Sequence, residues 1–327
     1  MSALKPNIVV IGGGTGMPVL LRGLKDLPIN LTTLVTVADD GGSSGILREK
    51  IDGPAPGDIR NVLAALSNVG EDLTELFQYR FNSGNELEGH SIGNMVLVAM
   101  SSLTGDFHNG IEEVSKLLNV KATVLPIVNE SVCLCAELDD GTIVQGESNI
   151  PLANQKIKRV FLDKINLKPA KNVIRVIMEA DLIVISPGSL YTSIMPNLIV
   201  PDVLKALQST NAKKVYVCNV MTQAGETSGY TAGDHVQAIY DHIGNEILDG
   251  IIVNNEPINK DTKQRYAAEQ SEPVIYDVNR LEGLGLHVIE RDIIDRNQIS
   301  LRHDTKKVAK IIYELAEINI KNQARKG

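Results

Sequence analysis

A glycine-rich turn near the start of the chain limits the fold more than any other feature. Residues 8–18 read IVVIGGGTGMP, an apolar β-branched run followed by four glycines within five positions. Leucines at helical spacing come next: Leu20, Leu21, Leu24 and Leu27. This pattern predicts a strand, a tight turn and a helix, and the run over residues 31–38 predicts a second strand. Strands joined in this way lie parallel with a right-handed crossover, so we expect a doubly wound α/β sheet.

The remaining patterns extend this unit over the whole chain. We predict a single Rossmann-like unit over residues 1–327 with a mainly parallel sheet, in which residues 58–120 form a helical sub-domain. Residues 121–327 return to the sheet, with strands predicted at 122–128, 132–138, 142–145, 159–162, 182–186, 214–219, 250–253, 274–276 and 286–289. The polar segment 39–58 predicts an irregular functional loop, because twenty unstructured residues are uncommon inside a compact domain.

Composition excludes several classes of protein. Hydrophobic residues make up 43% of the chain and charged residues 22%, as in folded globular proteins. Thirty-two basic and 40 acidic residues give a net charge of −8, and the scattered basic residues disfavour nucleic-acid binding. No stretch nears the ~18 apolar residues that span a membrane. The three cysteines and the absence of a signal-peptide pattern predict a cytoplasmic protein.

The glycine turn itself predicts an anion site. Backbone N–H groups and the positive end of the following helix dipole bind phosphates at such turns. The dinucleotide fingerprint G-x-G-x-x-G is incomplete here, because Gly12, Gly14 and Gly16 are spaced G-x-G-x-G and Met17 stands where the third glycine belongs. This departure disfavours an NAD-dependent dehydrogenase. A turn that merely needs glycine is the structural alternative.

Two adjacent acids follow the second predicted strand. Asp39 and Asp40 stand where dinucleotide enzymes place a ribose-binding carboxylate. They would bind hydroxyls, act as a base, or hold Mg²⁺ beside a diphosphate, with Asp40 as the candidate metal ligand. The alternative for one of the two is an Asp-Gly turn in which the side chain caps its own backbone.

Other polar residues are candidates for the same cleft. Asp58 is predicted to be a helix N-cap. Arg60 in the first helical turn opposes the helix dipole, which indicates an anionic partner or a pairing with Asp39 and Asp40, and a solvated surface arginine is the alternative. His90 and Asn94 precede an apolar helix, 95–100, which we predict to be buried. His90 is either a general base or a structurally satisfied histidine.

The second half of the chain offers a second loop and aromatic candidates. Ser186-Pro187-Gly188-Ser189 ends a predicted strand and would open at the same edge as the glycine turn, with a simple helix cap as the alternative. Tyr266, beside Gln264 and Arg265, suits stacking on a base, and Arg302 suits a phosphate clamp. Either of these two residues has an exposed surface position as its alternative. Asp304 or Thr305 would cap the last helix, and Thr305 is exposed enough for a kinase to modify.

Six motifs resemble one protein family. The chain is similar to the YvcK-like gluconeogenesis factors, which are related to the CofD-like 2-phospho-L-lactate transferases of deazaflavin cofactor synthesis. The motifs run in order over residues 8–236 as IVVIGGGTGMPVLLRGLK, ADDGGSSGILRE, PAPGDIRNVLAALS, GHSIGN, ISPGSLYTSIMPNL and NVMTQAGETSGYTAGDHV. The resemblance implies a Rossmann-like fold with a nucleotide cleft at the strand carboxyl ends. It also implies binding of UDP-sugars such as UDP-N-acetylglucosamine, and a role in cell shape and cell-wall supply during gluconeogenic growth.

The resemblance assigns roles to individual positions. It implies that a phosphate-facing loop, an acidic pair and a second loop at a strand end form the site. These residues are Gly13, Gly14, Thr15 and Gly16 for the first loop, Asp39 and Asp40 for the pair, and Gly188, Ser189 and Tyr191 for the second loop.

Three functions follow as hypotheses. The first is a UDP-sugar-binding regulator with an unidentified protein partner, either monomeric or a homo-oligomer. The second is a CofD-like transferase that moves a phospho-substituted group from a nucleotide diphosphate donor. In that case Asp39 or Asp40 would activate the acceptor hydroxyl and Mg²⁺ would neutralise the leaving phosphate. The third is an NAD-dependent dehydrogenase.

Overall fold

The computed structural model describes residues 5–51, 53–82, 84, 87–296 and 301–324. Its centre is a seven-stranded parallel sheet in the order β10-β9-β8-β7-β1-β2-β3. The twelve strands are β1 (Asn7–Gly12), β2 (Asn30–Val35), β3 (Thr123–Pro126), β4 (Leu134–Leu138), β5 (Ile143–Gln145), β6 (Ile157–Leu162), β7 (Leu182–Ile185), β8 (Lys213–Val217), β9 (Gly250–Asn254), β10 (His287–Arg291), β11 (Ile294–Asp295) and β12 (Arg302–His303). The predicted Rossmann-like α/β fold is confirmed.

Thirteen α-helices accompany these strands within the described residues. They are α1 (Gly16–Leu24), α2 (Gly42–Ile51), α3 (Gly57–Leu66), α4 (Glu71–Gln78), α5 (Ile92–Thr104), α6 (Phe107–Leu117), α7 (Val173–Met178), α8 (Met195–Leu198), α9 (Pro201–Ser209), α10 (Ala232–Ile243), α11 (Lys260–Ala268), α12 (Val278–Gly283) and α13 (Thr305–Ala324). A π-helical turn, Leu190–Ile194, precedes α8, and a 3₁₀ turn, Pro151–Ala153, follows β5. Helices α2 to α6 all lie between β2 and β3 in the chain.

The central strands are apolar because helices cover both faces of a parallel sheet. Ile8, Val9, Val10 and Ile11 of β1 are each no more than 2% exposed. Strand β1 pairs in parallel with β2 on one side and with β7 on the other. Because the chain winds outward from β1 in both directions, the crevice between β1 and β7 is the switch point where doubly wound sheets bind ligands.

Three local predictions were wrong. Residues 39–58 are not irregular, because α2 forms at Gly42 and α3 begins at Gly57. Helix α2 is short and polar and lacks the apolar periodicity that would reveal it. Residues 274–276 form no strand; an isolated bridge joins Met221 to the neighbouring Pro273, whose ring nitrogen has no hydrogen to donate. Within 95–100 only Leu97 is buried.

Predicted elements elsewhere are close to the observed ones. The Asp139-Asp140-Gly141 turn joins β4 and β5 as an antiparallel hairpin, and β6 completes this small sheet. Within the described residues, no helix is long and apolar enough to cross a membrane.

Candidate functional site

The loops after β1 and β7 meet backbone to backbone at the switch point. A β-carbon on Gly16 would clash with Pro187 O and lie 2.7 Å from Pro187 C and 3.0 Å from Gly188 N. Gly14 has φ +63°, and a β-carbon there would lie 2.6 Å from Ser193 Oγ. Both positions require glycine because side chains would separate the loops. The two predicted loops therefore form one structure.

A cavity of about 500 Å³ opens beside these loops, at the carboxyl ends of β1, β7 and β8. This volume lies in the range of small-molecule sites, about 300–1,000 Å³. Six of the residues predicted from the sequence line it: Thr15, Gly16, Gly188, Ser189, Tyr266 and Arg302. Residues separated by up to 287 positions in the sequence are thus brought to one site.

Asn219, which sequence reasoning missed, holds the second loop in place. Its Oδ1 accepts the N–H of Gly188 at 3.0 Å, and its Nδ2 donates to Gly188 O at 2.7 Å. Gly188 N–H is therefore engaged within the protein. In the described part of the chain, the N–H groups of Thr15 and Ser189 form no hydrogen bond, so these two remain to receive an anion.

Tyr266 and Arg302 lie close together in the cavity wall, connected through a hydrogen bond to Leu301. The Leu301 N–H donates to Tyr266 Oη at 2.7 Å, which fixes the segment that carries Arg302. The ring of Tyr266 is half-buried and lines the cavity. His303, also in the wall, donates from Nε2 to Cys218 O at 3.0 Å, and its burial lowers its pKa.

A second arginine, Arg22 in the last turn of α1, lies near Arg302. Partial burial and the positive charge of Arg302 lower the pKa of Arg22. Among the described residues, neither guanidinium forms a salt bridge. Two neighbouring cations without a carboxylate partner favour an anionic ligand, and guanidinium groups bind phosphate oxygens bidentately. Sequence analysis missed Arg22 because its neighbour is distant in the sequence.

Asp58 occupies the other side of the glycine loop and is not the predicted N-cap. Helix α3 begins at Gly57, so Pro56 occupies the N-cap position and Asp58 lies in the first helical turn. Asp58 is 8% exposed, and its Oδ2 accepts the N–H of Gly14 at 2.9 Å. A β-carbon on Gly13 would lie 2.5 Å from the same oxygen. Gly13 and Gly14 therefore face a carboxyl group. The N–H of Gly14, which was predicted to bind phosphate, already donates a hydrogen bond to Asp58 in this structure.

Burial and the charge of Asp39 raise the pKa of Asp58 to about 7, although the hydrogen bond from Gly14 opposes the rise. Burial, Asp39 and Asp58 likewise raise the pKa of Glu147 to about 8. Glu226, 5% exposed, accepts the N–H of Tyr191 at 3.0 Å and the hydroxyl of Thr192 at 2.9 Å. The carboxyls of Asp39, Asp58 and Glu147 form an acidic compartment across the loop from the cavity. Burial and the neighbouring carboxylates thus bring the pKa values of Asp58 and Glu147 close to neutral pH.

This raised pKa predicts a pH-dependent stability that Asp58→Asn removes. A folded-state pKa of about 7 lies above the ordinary value of 3.8, so the protonated carboxyl stabilises the fold below about pH 4 and this contribution is lost as pH rises through 7. The difference corresponds to about 4 kcal/mol at most. Asparagine stays neutral, so we expect the free energy of unfolding of Asp58→Asn, relative to the wild type, to improve between about pH 5 and pH 8.5.

Urea denaturation of Asp58→Asn and of the wild type at these two pH values measures the difference between their free energies of unfolding. Asp202→Asn is the matched control, because hydrogen bonds and charge from Lys168 lower the pKa of Asp202, so this carboxyl stays ionised at both pH values and the difference between this variant and the wild type should not change. An unchanged difference between Asp58→Asn and the wild type at the two pH values would contradict the prediction.

Asp39 and Asp40 both have backbone partners. Asp39 Oδ1 accepts the N–H of Gly41 at 2.9 Å, the Asp-Gly turn foreseen as an alternative. Asp40 Oδ1 accepts the N–H of Ser148 at 2.8 Å. Within the described ranges, no group of three or more His, Cys, Asp or Glu side chains is arranged to hold a metal ion. Magnesium binding through Asp40 stays a prediction.

His90 and Asn94 support the acidic loop from α5. His90 Nδ1 lies 3.0 Å from Ser43 Oγ, and Asn94 Nδ2 donates to the same oxygen at 3.1 Å. All three side chains are buried. This geometry corresponds to the structural alternative for His90, and it anchors the start of α2.

Arg60 is buried rather than solvated, so the surface alternative was wrong. It is 4% exposed and donates to Ser91 Oγ at 2.8 Å and to Asn61 Oδ1 at 2.7 Å. Burial and Arg80 lower its pKa to about 10, while Asp39 and Asp58 oppose this shift. Its charge therefore compensates part of the acidic compartment.

Tyr191 lies outside the cavity, contrary to the role that the resemblance implied. Its ring is 2% exposed, its hydroxyl is 2.8 Å from the hydroxyl of Tyr230, and its ring meets His242 edge-on at 5.5 Å. Asp304, not Thr305, caps α13, since its Oδ1 accepts the N–H groups of Lys306 and Lys307. Modification of Thr305 stays a prediction.

The fold and the cavity define a class of protein: Rossmann-like α/β proteins that bind a ligand at the switch point of a doubly wound sheet. Residues 8–294 match the family described as 2-phospho-L-lactate transferase CofD.

Similar proteins and a similar solved structure show which family within this class the chain belongs to. The chain is 55% identical over 310 residues to a gluconeogenesis factor of Halalkalibacterium halodurans, with 95% of this chain and 96% of that one covered. It is 54% identical over 311 residues to the gluconeogenesis factor of Bacillus subtilis, with 95% and 98% covered. A crystal structure of a Bacillus halodurans protein is similar with a TM-score of 0.92 at 55% identity, covering 94% of this chain and 99% of that chain. This chain belongs to the CofD family, among its gluconeogenesis factors.

Proposed function

We propose that this chain is a cytoplasmic regulatory protein that binds a UDP-sugar such as UDP-N-acetylglucosamine and supports cell shape and cell-wall supply during gluconeogenic growth. The observation that carries the proposal is the cavity in which two interlocked loops, a tyrosine ring and Arg302 meet, with Arg22 close to Arg302. These are the groups that a diphosphate and a flat base require.

Different residues of the cavity suit different parts of a UDP-sugar. The free N–H groups of Thr15 and Ser189 and the start of α1 would bind the diphosphate together with Arg302. The half-buried ring of Tyr266 would stack on uracil. Polar side chains in the same wall, Asn219 and Gln223 among them, would meet ribose or sugar hydroxyls. Ligand binding would then alter the surface presented to a protein partner.

A CofD-like transferase is the second candidate, and the acidic compartment favours it. The pKa values of Asp58 and Glu147 are raised close to neutral pH beside Asp39, on the side of the glycine loop opposite the cavity. A donor nucleotide in the cavity and an acceptor hydroxyl in the compartment would then meet at the loop. In this reading Asp39 or Asp40 accepts the hydroxyl proton and Mg²⁺ neutralises the leaving phosphate. A dehydrogenase is less well supported, since the third fingerprint position holds the fully buried Met17.

Calorimetric titration of the purified full chain separates these functions. UDP-N-acetylglucosamine, GDP and NAD are titrated in parallel with and without Mg²⁺, and each mixture is then analysed for products. We expect binding of the UDP-sugar alone, without turnover. Preferential GDP binding or consumption of the nucleotide would support the transferase, and reduction of NAD by a substrate would support the dehydrogenase.

A further inference from the structure

A second cavity lies between α10 and the start of β6, apart from the cavity beside the glycine loop. Its volume is about 540 Å³, and the two cavities share no lining residue. Lys156 and Lys158 line it from the start of β6, and Asp234 and Asp241 line it from α10. Tyr191, which does not reach the first cavity, lies deep in this one and is 2% exposed. We call this second cavity the α10 groove.

The two walls of the α10 groove are held together by His242. Its Nδ1 donates to Ala238 O at 2.7 Å within α10, and its Nε2 accepts the N–H of Val160 in β6 at 3.0 Å. A ring nitrogen that accepts a hydrogen bond carries no proton, and burial lowers the pKa of His242, so the ring stays neutral. Helix α10 itself begins with a capping box between Thr231 and Asp234. The groove is therefore formed before any ligand binds, as small-molecule sites usually are.

Two tyrosine hydroxyls in the groove leave one hydrogen without an acceptor. Tyr191 Oη and Tyr230 Oη are 2.8 Å apart, so one hydroxyl donates to the other. The accepting hydroxyl keeps its own hydrogen, and in the described part of the chain neither oxygen has another hydrogen-bond partner. Buried tyrosine hydroxyls usually find a partner for this hydrogen. An oxygen of a ligand, such as that of a carboxylate, would supply it.

The groove also carries charges of opposite sign on its two walls. Asp241 on α10 accepts a hydrogen bond from Gln237 Nε2 at 2.8 Å and forms no ion pair with any described residue. Across the groove, Lys156 Nζ lies 3.6 Å from Asp139 Oδ2, and both of these side chains are exposed. Exposed ion pairs of this kind contribute little to stability, so Lys156 can turn to a ligand instead.

We propose that the α10 groove binds a small zwitterion, with the chemistry of a short peptide whose two ends are free. The ammonium end would pair with Asp241, and the carboxylate end would accept from Lys156 and from the spare tyrosine hydroxyl. A purely anionic ligand would face the unpaired Asp241, and a purely cationic ligand would face the lysines. The volume of the groove lies in the range of small-molecule sites. No residue of the first cavity takes part, so the inference stands or falls separately from the proposed function.

Isothermal titration of the full chain with triglycine, without any nucleotide, tests the proposal. We expect a dissociation constant of about 1 mM or lower for a ligand of this size. N-acetyltriglycine lacks the ammonium group and triglycinamide lacks the carboxylate, so each should bind at least about 10-fold more weakly. Glycine carries both charges but is too short to reach both walls, and it should also bind more weakly. The proposal is overturned if triglycine does not bind, or if either blocked derivative or glycine binds equally well.

Variants of the two walls show whether triglycine binds in the groove. Asp241→Asn and Lys156→Gln should each weaken its binding at least about 10-fold without altering the thermal melt, because both side chains are exposed. The matched controls are Asp261→Asn and Lys171→Gln, which change exposed residues outside the groove and should bind triglycine like the wild type. Equal affinities of Asp241→Asn and Asp261→Asn would place the peptide elsewhere and overturn the assignment of the groove.

Discussion

Gly16→Ala is expected to weaken nucleotide-sugar binding strongly while the chain still folds. The added methyl group would lie 2.7 Å from Pro187 C and 3.0 Å from Gly188 N, as well as against Pro187 O. These are backbone atoms that cannot rotate away, so the loops after β1 and β7 must separate. Overpacking of this kind costs about 1–3 kcal/mol of stability. Loss of the shared diphosphate contacts should weaken binding by about 100-fold or more, which corresponds to about 2.7 kcal/mol.

Isothermal titration with UDP-N-acetylglucosamine and a thermal melt measure the two effects. Gly283→Ala is the matched control, since a β-carbon at that position meets no atom within 4 Å. The control should bind like the wild type. Unchanged binding by Gly16→Ala would show that the two loops do not form the ligand site together.

Arg302→Ala is expected to act in opposite directions on the free and the ligand-bound protein. In the free protein it removes a cation that faces Arg22 and lowers its pKa, so stability should hold or rise slightly. In the complex it removes a hydrogen-bonding partner of the diphosphate. Hydrogen bonds to charged groups contribute about 1.5–3 kcal/mol, so binding should weaken by about 10- to 150-fold.

A double-mutant cycle with Arg22→Ala then tests whether both guanidinium groups contact the same anion. We expect a coupling free energy of more than about 0.5 kcal/mol if they do. Arg175→Ala is the control, because Arg175 pairs with Glu179 on the surface of α7 and should not affect binding. Loss of thermal stability in free Arg302→Ala, with unchanged affinity, would assign Arg302 a purely structural role.

Much of the fold was predictable because its signals are local. Apolar β-branched runs, glycine turns and leucines at helical spacing depend on neighbours within a few residues, and they correctly predicted a parallel sheet and the approximate bounds of most strands. The failures have equally local causes. Helix α2 has a polar sequence without periodicity, and Pro273 interrupts the strand predicted beside it.

The candidate site was predictable in part. Parallel strands end at a common edge, so the loops at Gly16 and Gly188 could be assigned to one cleft from the sequence, and Tyr266 and Arg302 followed from their residue types. The role of Asp58 could not be predicted, because it depends on a hydrogen bond to Gly14 across 44 residues. The hydrogen bonds between Asn219 and Gly188, 31 residues apart, could not be predicted for the same reason.

The sequence by itself therefore determined the α/β class, the two loops and the family, since each is written in short contiguous patterns. Only the tertiary structure decided which groups face the ligand cavity and which face each other. It turned Tyr191 inward, placed Arg22 near Arg302, gathered carboxyls with raised pKa values behind the glycine loop and left much of α5 exposed. These outcomes depend on how helices and strands pack, because burial and electrostatic neighbours are properties of distance in space rather than distance along the chain.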